Sequence, residues 1–125
     1  MTQLHFLVVD DDDDSRQTIV EYLKTLGYQR VSKARNGSEA LIQLQKEPGI
    51  NFIISDWDMP GMNGLALLRE VRKDPDRKSI PFLIATSPIS HEAEKVMLAA
   101  ESLVDGYIIK PFRMQVLEEK LQKLI

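Results

Sequence analysis

The chain has 125 residues, a net charge of −3, 43% hydrophobic and 28% charged residues, and no cysteine. That length suits one domain and leaves no room for a second core. The absence of cysteine excludes disulfides, thiolate metal sites and thiol nucleophiles, and the negative balance lacks the basic footprint of a protein that binds nucleic acid through its phosphates.

Residues 1–125 are therefore expected to form a single domain. The first five residues carry no basic n-region, and the longest apolar runs, such as residues 6–9, are strand-sized and far short of a membrane span. A cytoplasmic protein with no membrane and no direct nucleic-acid partner is the expectation, and a reducing compartment fits the missing cysteine.

In chain order, residues 4–9 form a short, branched apolar run ended by acids, which suits a strand buried on both faces. Asp13 or Asp14 is expected to cap the following helix, in which Ile19, Leu23 and Leu26 recur at helical spacing until Gly27 stops it. A strand over 30–34 and a helix over 38–46, with Ala40, Leu41 and Leu44 inward, come next. A strand over 51–55 then runs into a loop with Pro60, Gly61 and Gly64, and a helix over 65–73 follows. The last segments are a strand over 81–85, a helix over 91–100, a strand over 107–109 and a helix over 116–124.

Five apolar strands alternating with five helical segments predict a doubly wound α/β fold around a parallel sheet, because parallel neighbours need crossover connections. Such sheets bind ligands outside the carboxyl ends of their strands. The residues at those ends are Asp10 and Asp11, Asp56, Thr86 with Ser87, and Lys110. Carboxylates gathered at one edge repel one another unless a cation sits among them, and Mg²⁺ prefers oxygen ligands. A lysine and a hydroxyl opposite the acids suit a phosphoryl group with spread negative charge, and Asp56 is then placed to attack phosphorus and form an acyl phosphate.

Each residue also has a plainer reading. A run such as residues 10–14 is ordinarily a solvated charge block, and Asp12, Asp13 and Asp14 suit the positive end of a helix. Asp56 alone fits a turn before Pro60, Thr86 a strand-end hydroxyl, and Lys110 a loop residue whose bond to Pro111 base rates make trans. The plain readings must all hold at four strand ends at once.

Phe6-Leu-Val-Val-Asp-Asp11, Ser55-Asp-Trp-Asp-Met-Pro60, Gly64, Thr86 and Lys110-Pro-Phe112 together resemble the CheY-like receiver domains of bacterial two-component response regulators, over about residues 4–124. The resemblance implies a flavodoxin-like (βα)5 fold with a five-stranded parallel sheet. It also implies a phosphorylation-dependent signalling switch rather than an enzyme, with self-catalysed phosphoryl transfer and dephosphorylation only. Asp56 matches the phosphoacceptor, Asp11 a direct Mg²⁺ ligand, Asp10 its neighbour acting through water, and Asp58 the position whose backbone carbonyl meets the metal. Thr86 matches the switch hydroxyl, Lys110 the phosphate partner and Tyr107 the aromatic that changes rotamer. For Tyr107 a half-buried strand aromatic with a wet hydroxyl fits equally well.

The implied phosphoryl donor is a sensor histidine kinase or a phosphotransfer protein. The implied output is a partner protein or an attached effector domain, reached through the fourth helical segment (91–100), the fifth strand (106–109) and the fifth helical segment (113–124). Single-domain and excised forms are comparable expectations. Departures from the family pattern are Leu103 and Val104 where Gly-Ala is common, Ser87-Pro88 after Thr86, Asp58 beside the acceptor, and Asn63 where aspartate is frequent.

Three rivals fit less well. A haloacid-dehalogenase-type phosphatase shares the Asp56-Trp-Asp58 pattern but carries its nucleophile after the first strand. A flavodoxin-like flavin carrier needs a glycine- or hydroxyl-rich loop where five aspartates stand. A pseudo-receiver would have lost one of the acids, Thr86 or Lys110.

Overall fold

The computed structural model describes residues 3–87 and 104–125. The helix expected over 91–100, with Pro88 and Leu103, lies outside the described residues. Five strands, β1 (His5–Val9), β2 (Arg30–Ala34), β3 (Phe52–Asp56), β4 (Phe82–Thr86) and β5 (Gly106–Ile109), form one sheet in the order β2-β1-β3-β4-β5. Every neighbouring pair is parallel. Four helices are described: α1 (Asp13–Thr25), α2 (Gly37–Lys46), α3 (Gly64–Lys73) and α4 (Met114–Leu124).

The near-continuous apolar runs of β1, β3 and β4 are explained by burial on both faces. Side chains alternate along each strand, so Leu7, Val9, Ile53, Phe82 and Ile84 pack with Ala40 and Leu44 of α2 and Leu67, Leu68 and Val71 of α3. Phe6, Val8, Phe52, Ile54, Leu83 and Ala85 face the other way, against Ile19, Val20 and Leu23 of α1 and Leu117 and Leu121 of α4. Each of the fully buried Val, Leu, Ile and Phe side chains contributes about 1.5–3 kcal/mol relative to exposure.

One expected cap and one expected inward residue need correction. Asp12, not Asp13 or Asp14, caps α1: its backbone is extended (φ −88°, ψ 121°) and its carboxylate accepts from Ser15 N at 2.7 Å. Asp13 and Asp14 fall inside the first turn, where negative charge favours the helix dipole. Leu41 is only partly buried, because Ala40 and Leu44 already occupy the stripe facing the sheet. Gly27 does end α1, in the left-handed region at φ +102°. Asn63 caps α3 by accepting from Ala66 N at 2.8 Å, a task asparagine and aspartate share.

Arg72, on α3, donates to Ile80 O at 2.7 Å and to Asp105 Oδ2 at 2.8 Å, and Phe82 N donates to that same oxygen at 2.8 Å. This fastens the entries of β4 and β5 to the end of α3. At the other end of the sheet, Gly64 N donates to Trp57 O at 2.9 Å and folds the β3–α3 loop back on itself. A Cβ on Gly64 would lie 2.6 Å from Asp56 O and 3.2 Å from Trp57 Cα, both backbone atoms. Gly64→Ala is therefore expected to lower unfolding free energy by about 1–3 kcal/mol, read from urea unfolding. An unchanged midpoint would show that the loop gives way freely.

Candidate functional site

The strand order reverses direction at β1, whose neighbours β2 and β3 are reached by opposite crossovers, and the crevice beyond β1 and β3 is where such a sheet receives a ligand. Asp10 and Asp11 leave β1 there, and Asp56 ends β3 beside them. Carboxylate oxygens of these three residues lie within 4.8 Å of one another. Asp10 is fully buried, Asp56 is 12% exposed at its side chain and Asp11 faces solvent.

β5 brings the counter-charge. Thr86 pairs with Ile109 in the β4–β5 register, and Lys110 N donates to Thr86 O at 2.8 Å, so β4 sets where Lys110 begins. Its ammonium then reaches Asp10 Oδ2 at 2.7 Å and Asp56 Oδ1 at 3.2 Å. Thr86 is buried at the end of β4, its hydroxyl 3.5 Å from Ser87 O. The Lys110–Pro111 bond is cis, against the base-rate expectation of trans, since tertiary context rather than base rate decides an ordered loop.

The Asp56 carboxyl is pushed up to about 6: burial raises it most, Lys110 draws it back, and the charges of Asp10 and Asp11 raise it again. Burial alone would lower the Lys110 ammonium, but Asp10 and Asp56 outweigh it and hold its pKa above the ordinary value. The edge is thus a crowded set of oxygen donors with one lysine among them, and a hard divalent cation would relieve it.

The remaining candidates lie further out. Asp58 is exposed on the loop after β3. Tyr107 is 47% exposed on β5, with Lys120 Nζ of α4 5.3 Å from its ring centroid. Val104 is partly buried against the α2–α3 core.

Two residues at the site escaped the sequence reading. Ser15 Oγ donates to Asp10 Oδ2 at 2.7 Å, and Arg16 Nη1 donates to Asp10 O at 2.9 Å. The available signal was the cap: with Asp12 as N-cap, Ser15 is the third helical residue, on the turn that lies against the strand end.

Residues 6–122 match the family model described as the response regulator receiver domain. The chain is 38% identical to the chemotaxis protein CheY of Pseudomonas aeruginosa over 121 residues, covering 97% of this chain and 95% of that protein. It is 37% identical to the chemotaxis protein CheY-3 of Vibrio cholerae, covering 97% of this chain and 91% of that protein. The solved structure of the chemotaxis response regulator CheY4 of Vibrio cholerae superposes with a TM-score of 0.86 at 34% identity, covering 99% of this chain and all of that one.

Proposed function

The chain belongs to the response regulator receiver family, which serves phosphoacceptor signalling in two-component systems, and from that premise we propose that Asp56 takes the phosphoryl group. The observation that carries this reading is the placement of one carboxylate, at the end of β3, both beside two further acids and 3.2 Å from a lysine ammonium.

Asp11 and Asp56 would hold Mg²⁺ through their carboxylates and Asp10 through water, with the backbone carbonyl of Asp58 as a further ligand. An all-oxygen donor set and an Asp56 carboxyl pushed up by burial and neighbouring charge both fit a hard cation. When bound, Mg²⁺ supplies positive charge to the phosphoryl oxygens and to the crowded acids. An Asp56 oxygen attacks phosphorus, the bond to the donor's phosphohistidine nitrogen breaks, and the imidazole leaves with the bonding pair and takes a proton. The product on the chain is an acyl phosphate.

Lys110 then exchanges a carboxylate for a phosphoryl oxygen, and the buried Thr86 hydroxyl turns toward another. Displacement of Thr86 gives Tyr107 room to leave its exposed position and turn inward, which shifts a pre-existing equilibrium of the output face. The donor is a sensor histidine kinase or phosphotransfer protein. The receiver of the signal is an output protein or an attached effector domain, met through residues 91–100, β5 and α4. The protein works as a switch whose only chemistry is its own phosphorylation and dephosphorylation, as a single domain over residues 1–125 that lives in the cytoplasm.

Intact-mass spectrometry after phosphoramidate treatment, with and without Mg²⁺, tests the assignment. A magnesium-dependent, base-labile phosphoryl adduct is expected on the wild type and not on Asp56→Asn; an adduct that persists in the variant would reject Asp56. Thr86→Ala is expected to retain the adduct while losing most of the phosphorylation-induced change in Tyr107, read by fluorine NMR of fluorotyrosine. An unaltered response would remove Thr86 from the switch.

A further inference from the structure

We propose that the Ser15 hydroxyl is a positioning group for the Asp10 carboxylate, and that it sets how tightly the Asp10, Asp11 and Asp56 cluster takes up Mg²⁺. The inference rests on the reading of that cluster as a magnesium site.

Asp10 is the one fully buried acid of the cluster, and its carboxylate is held at both oxygens. Oδ1 accepts from Asp12 N at 3.0 Å, while Oδ2 accepts from Ser15 Oγ at 2.7 Å and Lys110 Nζ at 2.7 Å. Arg16 fixes the backbone of the same residue through Asp10 O at 2.9 Å. The donors differ in what they do. Lys110 both orients Asp10 and neutralises it, whereas a hydroxyl orients the carboxylate and leaves its charge available to a cation.

The difference matters once Lys110 serves Asp56. Its ammonium already lies 3.2 Å from Asp56 Oδ1, and in the proposed mechanism it moves on to a phosphoryl oxygen. Ser15 is then the side-chain donor that remains on Asp10 Oδ2. Without it, Asp10 Oδ2 keeps only the Lys110 ammonium, which is shared with Asp56 Oδ1, so a cation that draws on these acids must itself fix the Asp10 carboxylate as it binds. Groups that orient metal ligands from behind typically change metal affinity 10–100-fold when removed.

Ser15 is partly exposed in the first turn of α1, where alanine is well tolerated, so the variant is expected to fold. The metal-free full chain is titrated with MgCl₂, followed by the fluorescence of Trp57 and in parallel by calorimetry. Trp57 is the sole tryptophan, is buried and directly follows Asp56. Ser15→Ala and Ser15→Val are expected to raise the Mg²⁺ dissociation constant by about tenfold, and Ser15→Thr, which keeps the hydroxyl, to restore it to near the wild-type value. Equal constants for wild type and Ser15→Ala overturn the role of Ser15, as does a threonine variant as weak as valine. A wild type that takes up no Mg²⁺ overturns the metal reading and the role of Ser15 with it, so the two failures are distinguishable.

Discussion

Asp56→Asn is expected to stabilise the metal-free protein at pH 8 by about 1–2 kcal/mol while abolishing phosphoryl uptake. The Asp56 carboxyl, pushed up to about 6 against an ordinary 3.8, binds its proton more tightly in the folded chain than in the unfolded one. Stability from this group is therefore present in full below pH 4 and lost as pH rises through about 6, the reverse of a salt-bridged acid. Holding the ionised carboxylate at neutral pH costs the fold up to about 3 kcal/mol, and asparagine removes that cost at the expense of the contact with Lys110. Urea unfolding in EDTA at pH 4.5 and pH 8 checks this: the advantage of the variant should shrink toward zero at the lower pH. An equal advantage at both would mean that ionisation of Asp56 is not its source.

Lys110→Ala should act in the opposite direction and more strongly. Its ammonium is the partner of the fully buried Asp10 at 2.7 Å, and removing one member of a buried pair leaves the other uncompensated, which typically costs 3–5 kcal/mol. Lys110 is 22% exposed at its side chain, so water reaches part of the cavity and a loss of about 2–4 kcal/mol is expected without metal. In 10 mM MgCl₂ the loss should be smaller, because a cation takes over the acids. Thermal unfolding with and without MgCl₂ measures both values, and equal destabilisation in the two would show that the metal does not share Lys110's partners. If Lys110 serves the phosphoryl group rather than the metal, the variant also keeps Mg²⁺ uptake but loses coupling from the acyl phosphate to Tyr107.

Much of this was legible in the sequence because the strand ends are abrupt. Apolar runs stop at Asp10, Asp56, Thr86 and Lys110, and a parallel sheet sends all such ends to one edge. The cap was not legible: among five consecutive aspartates, which one leaves extended backbone for the helix depends on where β1 stops pairing. Ser15 was hidden for a related reason, since a serine in a first helical turn reads as a local cap residue, and only the tertiary path shows its hydroxyl on Asp10. The approach of Lys120 to Tyr107 joins two elements and has no signature in either.

Lys110 stands 100 residues after Asp10 and directly follows β5. A chain in which β1 and β3 have paired before β5 docks carries three mutually repelling carboxylates at its open edge without their lysine. Docking of the last strand closes that circuit. Refolding should therefore slow at low ionic strength in EDTA and quicken with millimolar Mg²⁺, as the ion stands in for a lysine that has not yet arrived.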